Sequence, residues 1–249
     1  MPKDMKSGER FPLVVLLHGF GASAEAIEKA TDWPRFLEAQ RAAWIAPNGP
    51  QDRVGRRFWD AGPSCCNFDR SPVDHVAQIR ELITRSLAER PIDPERVFVG
   101  GISNGGFMAH RLGCELRSLV RGVVSIAGAG PASPASCPDG APIRVLQIHG
   151  TADDIVAYGG GHLFGKTSYP EHVSAERTVA DWAARLGCGK PKSGEPLDFE
   201  AKLPESETKV TRFENCRSGR VELWTVDSGS HYIGFRSPSQ EAIWRFLNP

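Results

Sequence analysis

Short apolar runs alternate with amphipathic stretches along most of the chain. Residues 12–17 are apolar at every position, which is typical of a strand buried on both faces of a parallel sheet. Further runs with the length and composition of strands cover residues 43–46, 97–99, 122–127, 143–148 and 220–226. Strands that alternate with helical patterns predict an α/β fold, in which helices cover both faces of a mainly parallel sheet.

The amphipathic stretches predict the helices. Residues 71–74 read Ser-Pro-Val-Asp, which resembles a capping box with proline at the first helical position. Apolar residues follow at spacings of three and four and end before Pro91: Val76, Ile79, Ile83 and Leu87. A second helix is predicted over residues 171–186, ending at Gly187, and a last one after Pro238. The polar segment 190–208 is interpreted as a surface excursion, so we expect a single domain over residues 1–249.

Composition narrows the classes of partner. Lys plus Arg and Asp plus Glu each number 30, so the formal net charge is zero. We therefore expect no nucleic-acid partner, because a nucleic-acid-binding domain normally carries a basic stripe. No apolar run approaches the roughly 20 residues that cross a bilayer, so we expect no membrane partner either.

The number of cysteines indicates the redox state of the compartment in which the protein works. The chain has six: Cys65, Cys66, Cys114, Cys137, Cys188 and Cys216. An even number scattered along the chain favours disulfides and an oxidising environment. The polar N-terminus contains no apolar signal-peptide region, so either a leader has been removed or the thiols are reduced core residues. Without a C-x-x-C pair, we expect no structural zinc, and nothing in the sequence calls for another metal or a cofactor.

A candidate nucleophile lies in the G-x-S-x-G pattern at residues 101–105. Ser103 directly follows a predicted strand and precedes a stretch of helical character. Strand, sharp turn and helix are the context of a nucleophile elbow, in which flanking glycines make room for a strained serine. The alternatives are a plain turn or a phosphate loop, although the lysine of a P-loop is missing.

A serine nucleophile needs a base and an acid that orients the base. In this type of fold the chain order is serine, acid, histidine, with each partner in a loop after a strand. His231 is the candidate base and Asp153 the candidate acid, because both follow predicted strands. Asp154 is a rival for the acid, and Asp227 is a weaker candidate because it is so near His231 in sequence.

An oxyanion hole requires two backbone N–H groups. The amide of Asn104, next to the nucleophile, is one candidate, and we expect this amide to matter more than the Asn104 side chain. The amide of Phe20 is the other candidate, with Gly21 as its rival, since both follow the first strand. His18 and His149 each precede a glycine at a strand end, and we interpret both as structural histidines satisfied by loop backbone.

These residues carry a resemblance to a family of secreted α/β-hydrolase esterases that contains polyhydroxybutyrate depolymerases and feruloyl or acetylxylan esterases. The similar segments are residues 12–19, Cys65-Cys66, 101–108, 149–154 and 229–231. The resemblance implies the α/β-hydrolase fold and a triad of Ser103, Asp153 and His231. It also implies export, to a secreted or periplasmic location. Only eleven residues precede Pro12. The antiparallel strands that family members have there are therefore expected to be missing.

The resemblance also suggests how the cysteines pair. Cys188 ends a predicted helix and Cys216 precedes the last strand, so we expect these two to bridge the polar excursion. Cys65 and Cys66 are expected to bond to different partners, with Cys114 and Cys137 available, because a disulfide between neighbours is strained.

The function expected from the resemblance is a serine esterase acting on small or oligomeric esters. Candidate substrates are polyhydroxybutyrate oligomers and the feruloyl or acetyl esters of plant polysaccharides. Trp59, Tyr158 and Tyr232 are candidate substrate contacts, although Ile233 replaces a tryptophan usual in the family. A serine peptidase with the same triad and a non-catalytic binding protein of the same fold are the alternatives.

Overall fold

An eight-stranded sheet forms the centre of the protein. The structure is a computed structural model that describes residues 7–131, 137–204, 206–234 and 237–249. The described strands are β1 (Phe11–Leu17), β2 (Ala43–Ile45), β3 (Ile92–Ile102), β4 (Gly122–Ile126), β5 (Ile143–Gly150), β6 (Gly161–His162), β7 (Glu171–His172), β8 (Pro191–Ser193), β9 (Thr208–Phe213) and β10 (Gly219–Val226). The described helices are α1 (Ala24–Thr31), α2 (Trp33–Ala39), α3 (His75–Glu89), α4 (Asn104–Glu115), α5 (Ala175–Arg185) and α6 (Ser237–Leu247).

The sheet order brings the predicted site loops to one edge. The strands follow one another as β2-β1-β3-β4-β5-β10-β9-β8. All pairings from β2 to β10 are parallel, and the last two are antiparallel. Along the register, Ile102 lies beside Ile126 and Ile126 beside Ile148. Ile148 in turn lies beside Trp224. The loops that carry Ser103, Asp153 and His231 therefore leave the sheet at the same carboxyl edge.

The first strand is buried on both faces of the sheet, as its continuous apolar pattern predicts. Leu13, Val15 and Leu17 belong to the core cluster on one face of the sheet. Val14 and Leu16 belong to the cluster on the other face. Every residue of β1 is buried, as expected for a strand in a sheet covered on both sides. The α/β-hydrolase architecture, with its mainly parallel sheet, is confirmed.

Two predicted helix starts are wrong. Helix α3 begins at His75 rather than at residues 71–74, because the Asp74 carboxylate accepts the Ala77 amide and caps the helix. Helix α5 begins after Ser174, whose hydroxyl accepts the Arg177 amide. Residues assigned to the start of that helix form the short strand β7 instead.

The polar segment 190–208 is more than a surface excursion. It contains β8 and pairs with β9 at the antiparallel edge of the sheet. Phe199 in this segment is fully buried and packs edge-on against Trp224, with ring centroids 5.7 Å apart. The burial of Phe199 could not be predicted from the sequence, because a single aromatic residue among charged residues produces no periodic pattern.

The structure forms three disulfides. Cys188 is bonded to Cys216, as expected, and the bridge closes the segment that contains β8 and β9. The expectation that Cys65 and Cys66 bond to different partners is wrong, because these neighbours are bonded to each other. Cys114, near the end of α4, meets Cys137 instead, which leaves no other cysteine for the pair.

Candidate active site

Ser103 occupies a sharp turn between β3 and α4. Its backbone has φ 56° and ψ −122°, a left-handed conformation that is unfavourable for a residue with a side chain. The turn is held because the Ser103 amide donates to the Ile126 carbonyl at 2.8 Å. The Ser103 carbonyl accepts from the amides of Gly106 and Phe107 in the first turn of α4. This geometry is that of a nucleophile elbow.

Steric contacts explain two of the glycines around Ser103. A Cβ atom on Gly101 would lie 2.1 Å from the Gly105 carbonyl oxygen. A Cβ atom on Gly105 would lie 2.2 Å from the Leu17 carbonyl oxygen. Both distances are far below van der Waals contact with backbone atoms, so any larger residue would push the turn apart. The elbow therefore requires glycine at both positions, whereas at Gly100 a Cβ atom would meet only a Leu16 methyl at 3.7 Å.

Asp153 and His231 form a buried hydrogen-bonded pair across the loops after β5 and β10. His231 Nδ1 lies 2.8 Å from Asp153 Oδ2, and the two side chains are 4% and 0% exposed. Asp153 Oδ1 accepts the amides of Ile155 and Val156 at 2.9 and 2.8 Å. The neighbouring Asp154 is exposed, so the structure brings Asp153 rather than its rival to the histidine.

The environment of Asp153 favours its ionised form. Burial alone would raise the pKa of this carboxyl. The contacts with His149 and His231, together with the Val156 amide, outweigh burial and hold the pKa well below the usual range of an aspartate. An ionised Asp153 accepts the Nδ1 proton of His231, which leaves the lone pair of the imidazole on Nε2.

The loop after β1 passes directly beside the serine. A Cβ atom on Gly19 would lie 3.5 Å from the Cβ atom of Ser103. The Gly21 amide donates to the Arg57 carbonyl at 2.7 Å, so it is already engaged. Within the described ranges, the amides of Phe20 and Asn104 have no hydrogen-bond acceptor. The Asn104 amide, directly after Ser103, and the Phe20 amide, directly after Gly19, are thus unoccupied donors, whereas the Gly21 donor is not.

The Ser103 hydroxyl forms no hydrogen bond with any part of the chain that the structure describes. Ser103 and the Asp153–His231 pair share the carboxyl edge of the sheet, but the serine and the histidine are not hydrogen-bonded. Catalytic hydrogen bonds in ligand-free enzymes are often long and tighten only when substrate is bound.

Comparison with known proteins shows the family of the chain. Residues 5–172, about two thirds of the chain, match the phospholipase/carboxylesterase family (Abhydrolase_2). The chain belongs to the phospholipase/carboxylesterase family.

Relatives of this esterase family agree with that assignment. The chain is 26% identical over 260 residues to feruloyl esterase B of Piromyces equi, covering 100% of this chain and 44% of the relative. It thus spans less than half the length of that relative. It is 31% identical over 130 residues to the poly(3-hydroxybutyrate) depolymerase of Ralstonia pickettii, covering 48% of this chain and 25% of the relative.

A solved structure shows the same fold. The acetyl xylan esterase from Aspergillus awamori superposes with a TM-score of 0.70 at 15% sequence identity, covering 99% of this chain and 91% of the other. The resemblance to α/β-hydrolase esterases seen in the sequence is thereby confirmed for the fold and the family.

In this family member, Asn104 and Trp59 form buried hydrogen bonds that connect the loops around Ser103. The Asn104 side chain is fully buried, accepts the Trp59 amide at 2.7 Å and donates to the Trp59 carbonyl at 2.8 Å. The Trp59 indole donates to the His18 carbonyl at 3.0 Å. These bonds tie the loop before Phe20 to the residue after Ser103. The Asn104 side chain therefore has a role that the sequence did not reveal.

The three aromatic residues proposed as substrate contacts occupy different environments. Trp59 is 1% exposed and lies beneath the site rather than on a surface. Tyr158 is half-buried, its hydroxyl bonded to Thr225 at 2.9 Å. Tyr232 is 76% exposed, and its ring lies edge-on to the His231 imidazole with centroids 5.2 Å apart. Of the three, Tyr232 is the one that a ligand near His231 can reach from solvent.

A cleft of about 960 Å³ is lined in part by Cys65, Phe68 and Tyr169. Cys65 Sγ lies 3.5 Å from Nδ2 of Asn104. The Phe68 ring packs edge-on against Phe20, with centroids 5.2 Å apart, and against Tyr169 at 5.4 Å. Residues that line the cleft thus contact the side chains of Asn104 and Phe20.

His18 and His149 lie at equivalent strand ends but differ in their contacts. His18 bonds only to backbone, with the Gly49 amide at 3.0 Å and the Gly19 carbonyl at 2.8 Å. Burial lowers the pKa of His18. His149 donates to the Val156 carbonyl at 2.7 Å, but its Nε2 also lies 3.3 Å from Asp153 Oδ2. The interpretation of His149 as satisfied by backbone alone is thus incomplete.

Across the described ranges, no cluster of three or more His, Cys, Asp or Glu side chains is arranged to hold a metal ion. No helix in the described part of the chain has the length and apolar character to cross a membrane.

Proposed function

We propose that this protein is a serine esterase that hydrolyses carboxylic esters through Ser103, His231 and Asp153. The observation that carries the proposal is the buried Asp153–His231 pair at 2.8 Å, placed at the same sheet edge as a serine in a strained elbow. Family membership and the esterase names of the relatives support it.

The geometry supports a two-step reaction. His231 Nε2 takes the hydroxyl proton of Ser103 as Oγ attacks the ester carbonyl carbon. The tetrahedral intermediate collapses when the alcohol leaves with the proton from His231, and an acyl-enzyme remains. A water molecule then gives a proton to His231 and attacks the acyl carbon, which releases the acid and restores Ser103.

The amides of Phe20 and Asn104 form the oxyanion hole. Both lack an acceptor among the described residues, and they directly follow Ser103 and its neighbour Gly19, whereas the Gly21 amide is bonded to the Arg57 carbonyl. Preorganised amides aimed at a developing oxyanion lower the barrier by about 3 to 4 kcal/mol per donor. The hydrogen bonds between the Asn104 side chain and the Trp59 backbone keep the two amide donors in fixed positions relative to each other.

The substrate is a small or oligomeric ester that enters through the cleft whose lining residues contact Asn104 and Phe20. The aromatic rings of Phe68 and Tyr169 offer apolar faces to an acyl or alcohol group, and Tyr232 covers the His231 side. Feruloyl, acetyl and 3-hydroxybutyryl esters are the candidates, because relatives with these names share the family. The disulfides favour a secreted or periplasmic location, and the one large sheet of eight strands favours one catalytic domain.

A panel of substrates tests this function. Purified protein is assayed with methyl ferulate, acetylated xylan, 3-hydroxybutyrate oligomers, p-nitrophenyl acetate and an aminoacyl anilide. The proposal expects hydrolysis of p-nitrophenyl acetate and of at least one natural ester. Cleavage of the anilide without any ester hydrolysis would indicate a peptidase, and no reaction together with no labelling by a fluorophosphonate would indicate a non-catalytic protein.

A further inference from the structure

A series of hydrogen-bonded, buried polar side chains runs from helix α5 along strand β5 to Asp153. The Trp182 indole lies 3.1 Å from His110 Nδ1, and His110 Nε2 lies 2.7 Å from Gln147 Oε1. Gln147 Nε2 lies 3.1 Å from His149 Nδ1. His149 Nε2 then lies 3.3 Å from Asp153 Oδ2. All these side chains are buried, and His110, Gln147 and His149 are fully so.

The direction of every hydrogen bond in this series is determined by its ends. The Trp182 indole can only donate, so His110 Nδ1 accepts and His110 carries its proton on Nε2. The carbonyl of Gly128 can only accept, so its 2.9 Å contact fixes Nε2 of Gln147 on that side and Oε1 toward His110. The second Gln147 N–H then faces His149 Nδ1, which places the His149 proton on Nε2.

This tautomer of His149 acts on Asp153 in two ways. Its Nε2–H donates to the Val156 carbonyl at 2.7 Å, and the amide of the same Val156 donates to Asp153 Oδ1 at 2.8 Å. The same nitrogen also lies 3.3 Å from Asp153 Oδ2, the oxygen that accepts from His231. His149 therefore holds the turn that carries the carboxylate, and its contact is one of those that lower the pKa of Asp153.

Core packing alone does not account for this arrangement. Burying two histidines and a glutamine carries a desolvation penalty, which hydrogen bonds only partly offset. Burial lowers the pKa of His110 to about 4, so this ring stays neutral and keeps its single proton on Nε2 near neutral pH. A series of directed hydrogen bonds that ends on the Val156 turn, which holds Asp153 Oδ1, fits a need to keep the carboxylate in one orientation.

We propose that His149 and Gln147 are positioning residues, which His110 and Trp182 orient, and that they hold Asp153 in the geometry that supports His231; this rests on the esterase function proposed above. None of them touches the ester. Their contribution is to kcat, because a misplaced Asp153 weakens proton transfer through His231 without altering the cleft that binds substrate.

The test compares five single variants, of which His149→Gln restores an N–H in place of the His149 ring. His149→Phe keeps a ring but removes both nitrogens, and Gln147→Leu removes the donor that fixes the His149 tautomer. Trp182→Phe removes one distant N–H. Thr178→Val is the matched control, since Thr178 lies on the same helix as Trp182. Its buried hydroxyl bonds to Gly130 and Ser174 but to none of the hydrogen-bonded side chains from Trp182 to Asp153.

Each variant is assayed for kcat and KM on p-nitrophenyl acetate, and the low-field proton NMR signal of His231 Nδ1–H is recorded. We expect kcat to fall about 10- to 100-fold in His149→Phe and Gln147→Leu, with KM changed less than about 3-fold. The NMR signal should shift or disappear in both. His149→Gln, which keeps an N–H near the same place, should recover part of kcat, and Thr178→Val should resemble the wild type.

Trp182→Phe keeps the proposal testable if the other variants fail to fold. It retains the aromatic ring, and we expect about a 3-fold loss of kcat, since one link is removed and water cannot easily replace it. Folded variants with wild-type kcat and an unchanged His231 signal would overturn the proposal, as would an equal loss in Thr178→Val. If Ser103→Ala remains fully active, the esterase proposal fails instead, which separates the two results.

Discussion

The His231 imidazole donates its Nδ1 hydrogen to Oδ2 of Asp153 over 2.8 Å, and both side chains are withdrawn from solvent. The pair joins loops that lie far apart in the sequence but leave neighbouring strands, β5 and β10, at the same edge. Asp153 is held by two backbone amides as well, so its position is determined by the turn and not only by the histidine.

Replacement of Asp153 by asparagine should lower kcat by about 10³- to 10⁴-fold. The amide of asparagine donates to Nδ1 of His231, which forces the imidazole proton onto Nε2 and leaves no base for Ser103. Asp154→Asn is the matched control, because Asp154 is adjacent but exposed. Steady-state hydrolysis of p-nitrophenyl acetate measures both, and a greater loss in Asp154→Asn would assign the acid to the rival.

Replacement of Gly101 by alanine should lower the free energy of unfolding by more than about 3 kcal/mol, or prevent folding. The new Cβ atom would lie 2.1 Å from the Gly105 carbonyl oxygen, and neither backbone segment can yield without breaking the elbow. Gly100→Ala, one residue earlier, should change stability by less than about 1 kcal/mol, because the contact there is an ordinary 3.7 Å. Urea unfolding monitored by circular dichroism measures both variants. Equal stability of the two would contradict the steric account of the elbow.

The sharp turn at Ser103 and the loops that carry Asp153 and His231 could be predicted from the sequence because each has a local signal. A serine between glycines after an apolar strand, and acid and histidine loops after later strands, are readable without tertiary contacts. Parallel strand order then brings such loops to one edge. The choice of Asp153 over Asp154 depended on resemblance, since the register of a loop has no periodic pattern.

The supporting contacts could not be predicted in the same way. Asn104 meets Trp59 across 45 residues, and His110 meets Gln147 across 37. Trp182 meets His110 across 72 residues. Each of these residues is unremarkable in its own segment, and only folding brings the donor to its acceptor. The vicinal pairing of Cys65 and Cys66 likewise depended on where Cys114 and Cys137 lie.

We expect the protein to lose stability as the pH falls below about 6.5. This loss begins at a higher pH than the range in which carboxylates titrate. Burial lowers the pKa of His110 from 6.5 to about 4, so the unfolded chain binds a proton in this interval and the folded chain does not. Stability from this neutral histidine is complete above pH 6.5 and is lost as pH falls toward 4. Between pH 7 and pH 5 the loss from His110 amounts to about 2 kcal/mol.

Denaturant unfolding at pH 7 and pH 5 measures this dependence. The wild type is compared with His110→Gln, which cannot protonate in the unfolded chain. We expect the wild type to lose about 2 kcal/mol more than the variant between the two pH values. Parallel losses in the two proteins would mean that His110 titrates alike in the folded and unfolded chains.

The identity of the nucleophile is the central claim, and trapping the acyl-enzyme tests it most directly. Wild type and Ser103→Ala are mixed with p-nitrophenyl acetate or a fluorophosphonate, quenched, digested and mapped by mass spectrometry. We predict one adduct on Ser103 in the wild type, none in the variant, and a loss of at least about 10³-fold in kcat for Ser103→Ala with an unchanged circular dichroism spectrum. An adduct on another residue, or a folded Ser103→Ala protein with wild-type activity, would contradict the account.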